Sequence, residues 1–129
     1  MSTHHTLGSI QIPRGMVWVD EMNWSPVESS AEYGLTGARV VDVWVKTNGR
    51  PITLEGSETA GWITRQTLLS LRSAAAVPDA TYLLTLADGR TFTVRFAPDV
   101  APIEARPIAR PELPPTDYPY VATVRLETV

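Results

Sequence analysis

The chain has 129 residues, 43% of them hydrophobic and 19% charged, which are the proportions of one soluble globular domain and not of a disordered polypeptide. A formal net charge of −3 offers no basic footprint for nucleic acid phosphates, and the absence of cysteine excludes disulfides, a thiolate nucleophile and cysteine-ligated metal. No apolar run is long enough for a membrane-spanning helix and residues 1–9 carry no secretory pattern, so synthesis in the cytoplasm is expected, with no membrane insertion.

In chain order, the Ser-, Thr-, Gly- and His-rich residues 1–12 predict a flexible N-terminal arm, followed by a single β-rich domain over 13–129. Residues 16–20 form a short β-type run, and residues 23–30, around Pro26, predict a loop carrying Trp24. A strand over 39–46 follows the bend residues Gly34 and Gly37, with Val41, Val43 and Val45 on one face and Trp44 on the other. Asn48-Gly49 is a hairpin signal because it accepts the positive φ of a tight turn, so Pro51–Glu55 is expected as the return strand. Its proline belongs at a strand end or an edge.

One helix is predicted, over about residues 65–76. Thr64 can cap its first-turn amides and Pro78 stops it. Leu68, Leu71 and Ala75 make its apolar stripe, while Arg65, Arg72 and Ser73 can stay wet. Residues 81–97 then read as a hairpin about Asp88-Gly89. A two-residue turn would set apolar against polar positions. A three-residue turn, Ala87-Asp88-Gly89 with a left-handed glycine, pairs Tyr82 with Val94 and Leu84 with Phe92 instead, and is preferred.

Seven of the eleven prolines fall between Pro98 and Pro119. Such density disfavours ladder pairing and predicts a Pro-rich arm over about 98–119, anchored on another chain by Ile103, Ile108, Leu113 and Tyr118. Residues 118–129 resume strand alternation, with Ala122, Val124 and Leu126 on one face.

Catalytic machinery is hard to assemble from these residues. His4 and His5 would have to relay protons from a floppy terminus, and a pair of histidines alone makes no closed metal site. Gly56 to Gly61 has the glycine spacing of a phosphate-binding loop, but Trp62-Ile63 stands where lysine and a hydroxyl residue are required. Asp20, Glu21, Asp42, Glu55 and Glu58 read as solvated strand-edge and loop residues before they read as an acid/base pair. The expectation is therefore a protein that is not an enzyme and needs no cofactor or metal. Four tryptophans, Trp18, Trp24, Trp44 and Trp62, are many for this length. Core packing explains any one of them, but tryptophan also favours interfaces, so all four join the four arm residues as a candidate interface.

The order of these elements, with Met16-Val-Trp-Val-Asp20, Gly49-Arg-Pro-Ile-Thr-Leu-Glu-Gly56, Gly61-Trp-Ile-Thr-Arg65, Asp88-Gly-Arg-Thr-Phe-Thr-Val94 and Tyr120-Val-Ala-Thr-Val-Arg-Leu126, resembles small tail and baseplate structural proteins of tailed bacteriophages. The resemblance implies a mainly β fold, a small β-barrel or sandwich with one flanking helix, tail-tube-like or hub-associated. It also implies assembly as a ring around the axial channel, between tube, tape measure and hub. Its partners would be copies of itself and other tail proteins, its location the virion, and no active-site residues carry over. The chain departs from a long tube subunit in lacking an evident long β-hairpin for stacking rings. The alternative is a monomeric β-barrel binding module whose aromatic residues line a ligand groove. A small enzyme of unfamiliar design is the third option.

Overall fold

A computed structural model of the chain describes residues 4–23, 27–33, 39–45, 49–109 and 111–129, with residues 23, 27–33 and 39–45 described by their backbone alone. Its strands are β1 (His4–Leu7), β2 (Ile10–Pro13), β3 (Val17–Trp18), β4 (Val27–Tyr33), β5 (Arg39–Val45), β6 (Pro51–Glu55), β7 (Ile63–Thr64), β8 (Tyr82–Thr85), β9 (Thr91–Phe96), β10 (Ile103–Pro107) and β11 (Pro119–Thr128). Helix α1 (Arg65–Ala75) lies between β7 and β8.

Period-two burial explains the role of β11. Tyr120, Ala122, Val124 and Leu126 are buried while the residues between them are half-exposed, so one face of the strand enters the core. Its ten residues are long enough to take partners on both edges. One edge pairs with β6 and β7, the other with β9 and β10, every ladder antiparallel. The sheet runs β2-β1-β8-β9-β11-β6-β3, with β7 and β10 also held by β11. A short turn, closed by Met16 N–H donating to Pro13 O at 3.0 Å, joins its end strands β2 and β3. No ladder pairs them among the described residues, so the nine-stranded sheet is not closed into a barrel. The fold is mainly β, with one flanking helix.

The helix and the second hairpin form as their residues predict. Thr64 Oγ1 accepts from Thr67 N–H, and the first-turn amides of Arg65 and Gln66 donate to Tyr118 O and Thr116 O at 3.0 and 2.8 Å. Leu68 and Leu71 are buried in the core with Leu54, Leu84 and Val124. In the β8–β9 hairpin Tyr82 faces Val94 and Leu84 faces Phe92. Leu86 N–H donates to Arg90 O at 2.8 Å across a three-residue turn in which Gly89 has φ +97°.

Other expectations are corrected. Where composition predicts a flexible arm over residues 1–12, residues 4–13 are the hairpin β1–β2, with Leu7 and Ile12 fully buried. The apolar residues Leu7, Ile10 and Ile12 supply the burial that the polar average conceals. Pro51–Glu55 is a strand, yet it pairs with β11 and β3, not with β5. Gly49 takes φ +83°, but its N–H donates to Thr128 O at 2.8 Å, tying it to β11; Asn48 lies outside the described residues.

β5 pairs instead with β4 over seven residues, Val27 opposite Val45 through Tyr33 opposite Arg39. The loop expected up to residue 30 is thus strand from Val27 onward, and a long hairpin, not evident in the sequence, exists. The alternation of β4 (Val-Glu-Ser-Ser-Ala-Glu-Tyr) is too polar to announce a strand.

The Pro-rich stretch is likewise not an arm throughout, because Ile103–Pro107 pairs with β11 over five residues. Proline is tolerated here by position. Pro102 cannot donate to Arg125 O, and Ala97 N–H does so at 3.1 Å in its place.

Candidate interface

The structure scatters those of the eight predicted interface residues whose side chains it describes. Trp18, in β3, is half-buried and packs edge-to-face on Phe92 with ring centroids 5.5 Å apart. The guanidiniums of Arg50 and Arg90 lie 4.5 and 5.4 Å from its ring centroid, within cation–π range. Its indole Nε1 is buried with no hydrogen-bond partner among the described residues. Trp62 is 45% exposed on the loop before α1, its Nε1–H donating to Glu58 O at 3.1 Å. Trp24 lies outside the described residues, and Trp44 is known only by its backbone place opposite Glu28. Leu113 is 90% exposed, whereas Ile103, Ile108 and Tyr118 are half-buried. The Tyr118 hydroxyl accepts from Ala109 N–H at 3.1 Å and its ring meets Tyr120 edge-to-face, so the link folds onto its own domain.

Near Trp18 a cavity of about 330 Å³ is lined by His5, Arg14, Glu21, Asp88 and Arg90 among others. His5, expected on a mobile end, is only 8% exposed. Its Nδ1 accepts from Ala87 N–H at 2.8 Å, which places the ring proton on Nε2, donating to Met16 O at 3.0 Å. Backbone thus engages both nitrogens. Arg90 bridges Glu21 and Asp88. Hydrogen bonds from the Arg90 side chain and backbone hold the Asp88 carboxyl below its ordinary range, and Asp88 and Glu21 raise the Arg90 guanidinium.

A second groove, of about 360 Å³, separates α1 from β10 and is lined by Arg65, Leu68, Leu69, Arg72, Ile103, Ala105 and Tyr120. A further space of about 290 Å³ extends it past Arg72 to Ala76 and Pro102. Arg65 Nη1–H donates to the Tyr120 hydroxyl at 2.9 Å. Of the predicted residues only Ile103 lies here. The two arginines went unassigned because they read as a solvated helix face; their seven-residue spacing, which puts both on one stripe, is the signal available in the sequence.

Among the described residues no group of His, Asp or Glu is placed to hold a metal ion, and no helix is long and apolar enough to cross a membrane. Compared with protein-family models, curated proteins and solved structures, the chain matches none.

Proposed function

We propose that the chain is a structural assembly subunit, part of the distal tube or baseplate of a bacteriophage tail, that joins copies of itself into a ring. The observation that carries this reading is the β4–β5 hairpin, which makes no ladder with the nine-stranded sheet among the described residues. A two-stranded hairpin alone is marginal in water and gains its stability by packing on something else. Strands β2 and β3 add edges with one neighbour each. Soluble monomers blunt such edges with lysine, and this chain has one, Lys46. A ring covers edges by symmetry, each subunit closing the next. The tail assignment itself comes from the resemblance of the sequence segments; the edges support assembly in general.

Replacing residues 24–48 with a short Gly-Ser link tests the reading. Sedimentation velocity should find the parent chain associated and the shortened chain monomeric with its main sheet folded. Unchanged association would remove the hairpin from the interface and with it this argument.

A further inference from the structure

We propose that the groove between α1 and β10 receives an extended, acidic segment of another protein as an added strand. The backbone supplies the first half of the case. Arg125 N–H donates to Pro102 O and Ile108 N–H to Pro119 O, one at each end of the β10–β11 ladder, so the even-numbered residues of β10 turn their amides and carbonyls toward β11. Antiparallel alternation then turns those of Ile103 and Ala105 outward. Among the described residues β10 has no strand on that side. Pro107 lacks an amide, so the open edge offers the N–H and C=O groups of Ile103 and Ala105, the groups a guest strand pairs with.

Charge supplies the second half. Arg90, Arg95, Arg106 and Arg125 each meet a carboxylate of this chain, using Glu21, Asp88, Glu127, Glu58 and Glu104. Arg65 and Arg72, on the helix wall of the groove, meet none among the described residues. They stand about 10 Å apart along the helix. Groove-facing residues of a strand four positions apart are about 13 Å apart, so two flexible glutamates at that spacing reach both guanidiniums with one apolar residue between them. Leu69, 41% exposed, and Ile103 offer that residue a surface. The occupant is acidic because these two guanidiniums meet no carboxylate among the described residues. This inference does not rest on the ring reading, and its failure would leave that reading standing.

The probe is a fluorescent acetyl-Thr-Glu-Thr-Val-Thr-Glu-Thr amide, titrated with the full chain and followed by polarisation. Saturable binding is expected, weakened about tenfold or more by Arg72→Glu, by Ala105→Pro, and by lysine in place of both glutamates. Ala105→Pro removes an outward donor without touching the β11 ladder. Of two peptides N-methylated on alternate residues, one should lose binding and the other keep it, a readout that stands even if Ala105→Pro fails to fold. The proposal is overturned by absent binding, by equal affinity for the lysine peptide, or by both methylated peptides binding as the parent does. It is also overturned if Arg72→Glu abolishes self-association and leaves peptide binding intact, for the groove would then belong to a second copy.

Discussion

His5 is the residue whose environment departs furthest from its sequence context. Flanked by Thr3, His4 and Thr6, it has no apolar pattern to announce burial, yet two backbone groups 11 and 82 residues away bond to its ring. Only tertiary structure could reveal that pairing. His5→Ala should destabilise the fold by about 2–4 kcal/mol in urea titration, because it strands the Ala87 amide and the Met16 carbonyl inside the protein. Asp88 makes a second test at this scale. Its carboxyl is held low by Arg90, so the folded hairpin favours the ionised form, a contribution present above the unfolded value and lost as pH falls through the folded one. In an NMR titration Arg90→Ala should move the Asp88 midpoint back up toward the ordinary aspartate value.

At the scale of elements, legibility follows how local the deciding contacts are. Helix α1 and the β8–β9 register could be read because a cap, a stripe and a left-handed glycine lie within a few residues of what they control. The β6 pairing and β10 could not, since their partner is β11, as much as 76 residues downstream of β6. The strong Asn-Gly signal marks a positive φ without naming the strands on either side. Two glycines separate local from tertiary causes. Gly89 has φ +97° and open space around it, so Gly89→Ala should cost about 1 kcal/mol, the backbone penalty alone. At Gly61 φ is +73° and a Cβ would stand 2.5 Å from Gly15 O, backbone that cannot swing aside. Gly61→Ala should therefore cost about 3 kcal/mol or more by the same denaturation measurement.

For the whole molecule, β11 organises one curled sheet that stops short of closure, and α1 covers part of its core face. The candidate interface was the least legible feature. Tryptophan content points to surface contacts but cannot say which tryptophans pack at home: Trp18 lies against Phe92 and two arginines, while Trp62 stays half in water. Edges without neighbours and the separate β4–β5 hairpin carry the assembly reading; the edges are set by pairing across the whole sheet, while the hairpin joins strands adjacent in the chain and is hidden by the polar alternation of β4. Native mass spectrometry of the purified chain over a range of concentrations tests that reading most directly. A ring-forming subunit should give one discrete closed oligomer at an integer multiple of the subunit mass; a monomer at every concentration would rule the ring out.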